Sequence, residues 1–154
     1  MDKNQLAKYD FRPPHVEEFE AWYPLYESYS RDVGSPVTPH IAQVVWGWIH
    51  DTQHPLEAVM ALRDGQLVGF TNYRPFPRTL DANEACFLDD LYVAESERGS
   101  GLAQSLIANL VRIAHDRGWT HVRWVAEQGN ARARKLYDRI SEQMDLVTYR
   151  INAT

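Results

Sequence analysis

A short loop with two glycines and an arginine has the residue types of an anion-binding site. Arg98, Gly99 and Gly101 stand in the stretch ERGSG, directly before a segment of helical apolar periodicity that starts near Leu102. Glycines let backbone N–H groups approach an anion closely, and a helix N-terminus adds a partial positive charge. Arg98 can add a charge-assisted hydrogen bond. These residues predict a pyrophosphate seat, and the competing interpretation is a tight turn that uses glycine for geometry alone.

Two nucleotide-binding motifs fit this loop poorly. The P-loop requires a Gly-Lys pair, and the sequence contains none. The dinucleotide fingerprint requires a third glycine, and Gln104 stands at that position. A nucleotide-binding protein is therefore the least supported interpretation of the glycines.

The elements that must position the loop are strands and helices in mixed order. Asp64-Gly65 between two apolar runs is the strongest hairpin signal in the chain. Helix patterns begin at Pro13-Pro14, at Thr38-Pro39, after Gly101 and at Asn130; Pro55 and Gly118 should end the second and the third. Strands are predicted over residues 6–12, 57–63, 66–74, 84–93, 120–127 and 144–151. The pattern predicts an α/β sandwich with a mixed sheet and one strand–helix–strand crossover.

Length, charge and cysteine content set broad limits on the protein class. A chain of 154 residues is expected to form a single domain spanning residues 1–154, and 44% hydrophobic residues suit a globular core. The net charge of -5 argues against nucleic-acid partners, which need a basic surface. No apolar run predicts a membrane span. The lone Cys86 rules out a disulfide within the chain and favours a reducing, cytoplasmic location.

Two sequence blocks resemble the signatures of the GCN5-related N-acetyltransferase (GNAT) family. The stretch LYVAESERGSGLAQSLI resembles the family's acetyl-CoA motif, Gln/Arg-x-x-Gly-x-Gly/Ala. The stretch AEQGNARARKLYDRI is similar to the family's later strand end, asparagine and helix carrying Leu-Tyr. The blocks have the family's order and separation, and the resemblance is close from Glu84 to Ile140. It implies the GNAT fold, with a mixed sheet of about six to seven strands flanked by helices around a strand–helix–strand acetyl-CoA core.

The resemblance also implies which residues contact acetyl-CoA as the cosubstrate. It assigns the pyrophosphate seat to the loop and the start of the helix, and the pantetheine arm to the strand before them and to one asparagine. These residues are Leu91, Tyr92, Val93, Arg98, Gly99, Ser100, Gly101, Leu102, Ala103 and Asn130.

Two adjacent carboxylates lie in the apolar strand CFLDDLYV. Neighbouring side chains of a strand point to opposite faces, so Asp89 and Asp90 are expected on different sides of the sheet. The resemblance implies that the residue matching Asp89 lies near the acceptor amine in some relatives that acetylate polyamines. We interpret Asp89 as the residue that positions or deprotonates the amine. A structural hydrogen bond is an equally good account of Asp89 and a better one of Asp90.

Tyr137 matches the family's tyrosine that protonates the leaving thiolate. A phenol beside the sulfur can donate a proton when a tetrahedral intermediate collapses. Asn130 stands seven residues earlier, which places both residues on one helix face. The alternative for Tyr137 is a core aromatic residue.

Other candidate residues have simpler interpretations. The aromatic residues of the first two helices are mainly core, although the family's first helices wall the acceptor site, so Tyr26, Tyr29 and Trp46 are candidate acceptor contacts. His50 and His54 lack the further ligands of a zinc site, and no metal is expected. Cys86 is interpreted as a small buried hydrophobe.

The resemblance leads to one main function hypothesis and one rival. The main hypothesis is an acetyl-CoA-dependent N-acetyltransferase that acts on a primary amine of a small molecule, amino acid or protein by direct attack in a ternary complex. The rival is a catalytically silent acyl-CoA-binding or regulatory module. The chain departs from the family after Tyr137, where only one further strand fits. An unpaired terminal strand invites pairing, which suggests a homodimer.

Overall fold

The computed structural model describes residues 8–154 and divides at Trp124 into two compact units. The first unit contains a five-stranded sheet in the order β1-β2-β3-β4-β5 and three helices. The second unit, Val125–Thr154, contains one helix. The strands are β1 (Asp10–Arg12), β2 (Glu57–Arg63), β3 (Gln66–Arg78), β4 (Asn83–Val93) and β5 (Val122–Arg123), and the helices are α1 (Phe19–Asp32), α2 (Pro39–His50), α3 (Leu102–Asp116) and α4 (Ala131–Ile140).

The sheet is mixed, as predicted, but it has five strands rather than six to seven. Strands β1 to β4 are antiparallel to their neighbours, and β5 is parallel to β4. β5 covers two residues of the predicted range 120–127. The predicted strand 144–151 is absent from the second unit, where the chain after Ser141 has neither helix nor strand. Alternating apolar residues form a strand only where a neighbouring strand supplies hydrogen bonds. Within residues 8–154 no strand pairs with this segment.

Local turn chemistry accounts for the hairpin between β2 and β3. Asp64 and Gly65 both have positive φ, at 50° and 78°, as a two-residue type I′ turn requires. The turn fixes Arg63 opposite Gln66. The hairpin predicted from the Asp-Gly pair is confirmed, and β3 continues to Arg78, four residues beyond the predicted end.

The helix boundaries follow capping chemistry more closely than proline positions. The Thr38 hydroxyl accepts a hydrogen bond from Ile41 N at 3.2 Å, so α2 begins as predicted, and it ends at His50, one residue before the end of the predicted segment HIAQVVWGWIHD and before Pro55. α1 begins at Phe19, after a single 3₁₀ turn, rather than at Pro13-Pro14. Gly118 has a φ of 72° and ends α3 in the predicted left-handed conformation.

Hydrophobic clusters fill both faces of the sheet in the first unit. Met60 and Phe70 pack with Trp22, Trp46 and other residues of α1 and α2. Ala61, which points to the opposite face, packs with residues of α3. Cys86 on β4 is fully buried, and burial raises the pKa of its thiol to about 12. The two layers hold the end of β4 and the start of α3 in fixed positions.

Candidate functional site

The glycine loop adopts the backbone conformation that an anion seat needs. Gly99 and Gly101 have φ values of 79° and 86°, in the left-handed region that favours glycine. Gly101 is the N-cap of α3, and the first helical hydrogen bond runs from Ser105 N to Gly101 O at 3.1 Å. Because Gly101 has no side chain, it cannot cap the N–H groups of the first turn. Ser100 Oγ instead accepts a hydrogen bond from Leu102 N at 3.3 Å, and the turn presents the positive end of the helix dipole.

A buried carboxylate fastens this loop to the rest of the first unit. Glu97 is only 2% exposed, and its Oε2 accepts a hydrogen bond of 2.6 Å from the Tyr9 hydroxyl. The same hydroxyl lies 2.9 Å from Ser100 Oγ, inside the loop. Arg63 Nη1 lies 2.7 Å from Glu97 Oε1, a charge contact rather than an aligned hydrogen bond. The network ties Tyr9, directly before β1, and Arg63, the last residue of β2, to the residues on both sides of Gly99.

Arg98 forms an ion pair with a carboxylate at the end of α1. Its Nη2 lies 3.1 Å from Asp32 Oδ2 at the end of α1, and both side chains are exposed. An exposed ion pair of this kind contributes little stability, so Arg98 can exchange Asp32 for a phosphate at low cost.

Strand β4 leaves one backbone edge open directly before the loop. β5 pairs only with Cys86 and Phe87, so no strand within residues 8–154 pairs with the far edge of β4 from Leu88 onward. Ala94 N donates to Val68 O on β3 at 2.8 Å. Because backbone groups alternate along a strand, the N–H and C=O groups of Leu91 and Val93 point away from β3, toward the open edge.

A β-bulge separates the two adjacent carboxylates. Asn72 pairs with Asp90 and Tyr73 pairs with Leu88, so Asp89 is an extra residue without a partner on β3. Asp90 accepts hydrogen bonds from the Tyr29 hydroxyl at 2.7 Å and from Asn72 Nδ2 at 3.0 Å. The structural hydrogen bonds predicted for Asp90 are therefore present.

Asp89 lies in a separate ion pair. Its carboxylate is 3.1 Å from Arg74 Nε, and the Arg74 guanidinium stacks over Phe87. Burial raises the pKa of the Asp89 carboxyl and outweighs the opposing effect of Arg74. A carboxyl with a raised pKa is a stronger base than an ordinary one, which suits an acid–base role.

The three predicted acceptor contacts lie at different depths. Trp46 is buried, and its Nε1 donates to Val16 O at 3.1 Å. Tyr26 is also buried and stacks on Trp22 with the ring centroids 4.4 Å apart. Tyr29 is less buried and connects this aromatic cluster to Asp90. Of the three side chains, Tyr29 is the one with a polar group beside the β4 carboxylates.

The second unit holds the remaining predicted residues. Asn130 is the N-cap of α4, and its Oδ1 accepts a hydrogen bond from Ala133 N at 3.3 Å. Tyr137 lies two turns further along the helix and is partly buried. Burial raises the pKa of the Tyr137 phenol above its usual value near 10. The phenol is therefore protonated at neutral pH, as a proton donor must be.

The described residues hold no cluster of three or more metal-ligating side chains. His54 Nδ1 accepts a hydrogen bond from Leu56 N at 3.1 Å, so this ring stabilises the turn before β2. Among residues 8–154, no helix has the length and apolar character needed to span a membrane.

Sequence reasoning missed the partners of the predicted site residues. Tyr9 and Glu97 are 88 residues apart, and no local pattern connects them. Asn72 and Arg74 flank the bulge, which shifts the register of β3 against β4. The sequence predicted both strands, but only the bulge determines which of their side chains meet.

Comparisons with known proteins identify the family of this chain and its fold. The model of the acetyltransferase (GNAT) family matches residues 19–141. A D-amino-acid N-acetyltransferase, HPA3, from Saccharomyces cerevisiae is 28% identical over 135 residues, covering 86% of this chain and 84% of that protein.

Solved structures share the architecture. A ribosomal-protein-alanine N-acetyltransferase from Brucella melitensis biovar Abortus 2308 has a TM-score of 0.79 and 28% identity, covering 94% of this chain and 98% of its own. An aminoglycoside N-acetyltransferase, AAC(6')-Iy, in complex with CoA has a TM-score of 0.77 and 20% identity, with 95% of each chain covered. These structures confirm the predicted α/β fold class.

Proposed function

This chain belongs to the acetyltransferase (GNAT) family, and from that premise we propose that it transfers the acetyl group of acetyl-CoA to a primary amine by direct attack in a ternary complex. The observation that carries the proposal is the left-handed Gly99–Gly101 loop at the N-terminus of α3, directly after the open edge of β4. The CoA complex of the aminoglycoside N-acetyltransferase, which has the same fold, supports the choice of cosubstrate. The family match spans both units, which supports a single acetyltransferase domain.

The backbone around the loop supplies the groups that acetyl-CoA binding requires. We assign the pyrophosphate to the N–H groups at the start of α3 and to Arg98 after it leaves Asp32. We assign the pantetheine arm to the open edge of β4 at Leu91 and Val93, where extended backbone can accept and donate hydrogen bonds. A backbone N–H at this edge can also polarise the thioester carbonyl and stabilise the oxyanion that forms on amine attack.

Tyr137 is the proposed proton donor. The amine nitrogen attacks the thioester carbonyl carbon and forms a tetrahedral intermediate. When the C–S bond breaks, its electrons leave with the sulfur, and the Tyr137 phenol supplies the proton to the thiolate. The proton released by the amine goes to a base, a role we assign to Asp89 directly or through water.

The names of two relatives state an acceptor. One is named a D-amino-acid N-acetyltransferase and the other a ribosomal-protein-alanine N-acetyltransferase. These names support a primary amine as the acceptor class. The partly buried Tyr29–Asp90 pair supports the acceptor side of the proposal, because it places a polar group among the aromatic residues of α1.

The Asp89→Asn variant is expected to lower kcat/KM for the amine by about tenfold, the size of one lost charge-assisted interaction. Because burial raises the pKa of the Asp89 carboxyl, wild type should lose activity as pH falls through that raised pKa. Protonation of the amine itself causes a separate loss of activity at low pH in both proteins. The loss due to Asp89 should be absent from the variant. The measurement is a pH profile of kcat/KM, with the exposed Asp116→Asn as the control. Identical profiles for wild type and Asp89→Asn would remove Asp89 from the mechanism.

A thermal-unfolding scan tests cosubstrate binding. Acetyl-CoA at about 100 times its dissociation constant should stabilise the protein by about 2.7 kcal/mol, which raises Tm by several degrees. ATP and NAD serve as controls and should produce no comparable shift. No shift at millimolar acetyl-CoA would contradict the proposed function. A shift without release of free CoA in any amine screen would favour the alternative, a catalytically silent acyl-CoA-binding module.

The segment that follows α4 supports a homodimer. Tyr149 and Ile151 are 90% and 94% exposed, in a segment that alternates apolar and polar residues. Such a segment is suited to pair with a strand of a second copy. We expect a solution mass of twice 17.8 kDa by sedimentation, and a monomer for the Tyr149→Asp/Ile151→Asp variant. A monomeric wild type would contradict the dimer.

The lone buried Cys86 supports the cytoplasmic location, which cell fractionation tests.

A further inference from the structure

Arginine and phenylalanine side chains share one face of the sheet, at the end of β4 that is far from the glycine loop. Phe87 on β4 pairs with Arg74 on β3 and with Arg123 on β5, and residues that pair across strands point to the same face. Phe76 lies two residues after Arg74 and therefore also points to this face. We call these four side chains the Arg–Phe cluster. Phe87 is six residues before Val93, which corresponds to roughly 20 Å along the strand.

The two phenylalanine rings hold both guanidinium groups of the cluster in position. The Arg74 guanidinium lies 4.8 Å from the centre of the Phe87 ring. The Arg123 guanidinium lies 4.6 Å from the centre of the Phe76 ring and 5.9 Å from that of Phe87. A cation–π contact of this kind orders a guanidinium and leaves its N–H groups able to donate. All four side chains are only partly buried, so a ligand can reach this face.

One cation of this face has no carboxylate partner. Arg74 is paired with Asp89 at 3.1 Å, and Arg78 is paired with Asp81 at 3.1 Å. Arg123 forms no ion pair with any residue in the range 8–154. The chain has a net charge of -5, yet this face carries an uncompensated positive charge that attracts an anion.

The ion pair between Asp89 and Arg74 connects the Arg–Phe cluster to the place of acetyl transfer in the proposed function. There the pantetheine arm lies along the open edge of β4, and Asp89 takes the proton of the acceptor amine. Arg74 contacts Asp89 on one side and shares the Phe87 ring with Arg123 on the other. An acceptor whose amine lies beside Asp89 therefore brings its other groups close to positive charge.

This arrangement discriminates between amines by the charge of their other groups. A carboxylate can accept a bidentate, charge-assisted pair of hydrogen bonds from the Arg123 guanidinium. A second ammonium group would instead be repelled by Arg74 and Arg123. The opposite charges of Asp89 and Arg123 match those of a molecule that carries both an ammonium group and a carboxylate.

We propose, on the premise of the proposed acetyl transfer, that the acceptor is an amine that also carries a carboxylate, as a free amino acid does, and that Arg123 binds this carboxylate. Phe76 and Phe87 hold Arg123 in position and offer partly exposed rings to an apolar part of the acceptor. Arg74 keeps its ion pair with Asp89. Arg123 is thus a residue that determines acceptor specificity and takes no part in proton transfer.

Release of CoA from acetyl-CoA is measured with matched acceptors that differ in the carboxylate. The pairs are phenylalanine and phenethylamine, leucine and isopentylamine, and lysine and cadaverine, with both enantiomers of each amino acid. The best amino acid should have a kcat/KM at least about tenfold higher than its amine, as expected for one charge-assisted hydrogen bond. Trialanine amide, an amine without a carboxylate, should be a poor acceptor. A preference for the amines or for trialanine amide would overturn the proposal.

The Arg123→Gln variant separates the carboxylate contact from the basicity of the amines. The ratio of kcat/KM for the amino acid to that for its amine should fall by at least about tenfold, because the basicity of each amine is the same in both proteins. Arg123→Lys should recover part of the ratio, since it restores the charge without the guanidinium fork. Arg112→Gln, which removes an exposed arginine of α3, is the control and should keep the wild-type ratio. An unchanged ratio in Arg123→Gln would overturn the proposal.

Calorimetry on the protein loaded with CoA distinguishes a failure of this proposal from a failure of acetyl transfer. CoA carries no acetyl group, so the titration measures binding of the amino acid alone. The affinity should fall by at least about tenfold in Arg123→Gln, and the thermal shift with acetyl-CoA should persist, which shows that the variant is folded. Binding through Arg123 without any turnover would contradict acetyl transfer and support the carboxylate site. Turnover of amines without binding of any amino acid would support acetyl transfer and overturn the carboxylate site.

Discussion

Replacing Tyr137 by phenylalanine is expected to lower kcat by about 10²-fold, the lower range of what a positioned proton donor contributes. The change removes one hydroxyl from α4 and keeps the ring, so the packing of the helix should persist. The affinity for acetyl-CoA, measured by calorimetry, should change by less than a factor of about 3, because an acid that acts on the leaving thiolate contributes mainly in the transition state.

The protonation state of Tyr137 agrees with the donor role, and the turnover of the variant tests that role. Burial raises the pKa of the Tyr137 phenol, so the proton is present at neutral pH and is lost only as pH rises through a value above 10. The wild-type kcat should therefore show no loss from this group between pH 7 and pH 9. Tyr149→Phe, which alters a tyrosine that is almost fully exposed, is the matched control and should keep full activity. Full turnover by Tyr137→Phe would refute the assignment.

Glu97→Gln is expected to weaken acetyl-CoA binding by about tenfold and to lower the free energy of unfolding by about 1 to 3 kcal/mol. The carboxylate is buried between Tyr9 and Arg63, and an amide cannot replace its charge contact with Arg63. It can also turn its NH₂ group toward the Tyr9 hydroxyl, which now holds Ser100 in place. The loop should then lose the backbone geometry that the pyrophosphate seat requires.

Urea unfolding and a calorimetric titration with acetyl-CoA measure the two effects. Glu95→Gln is the matched control, because Glu95 is two residues away and exposed, and it should change neither quantity. Tyr9→Phe should reproduce part of the loss, and the double variant should lose less than the sum of the single ones, since both residues act in one network. Wild-type affinity in Glu97→Gln would show that the loop holds its shape without this network.

Elements defined by local chemistry could be predicted from the sequence. The Asp64-Gly65 turn, the Thr38 cap and the left-handed Gly118 each depend on a few adjacent residues, and each is present in the structure. The two glycines of the loop are also a local signal, because glycine permits the left-handed backbone that Gly99 and Gly101 adopt.

Features that depend on distant partners could not be predicted. The bulge at Asp89 leaves the apolar pattern of β4 unchanged, yet it decides that Asp90 meets Asn72 and Tyr29. The buried position of Glu97 depends on Tyr9, 88 residues earlier. The segment of the predicted final strand alternates apolar and polar residues, as strands do. A strand also needs a neighbouring strand to pair with, and the alternation does not show whether one is present.

Cys86 has a practical consequence for following the reaction. It is the single cysteine, it is fully shielded by the sheet, and its thiol pKa of about 12 leaves almost no thiolate at neutral pH. Because thiol reagents attack the thiolate, the folded protein contributes no background to a colorimetric assay of liberated CoA. The same shielding makes Cys86 a reporter of local unfolding around β4. The rate at which a thiol-specific reagent labels Cys86 measures how often β4 separates from its neighbouring strands. A bound cosubstrate should slow this labelling.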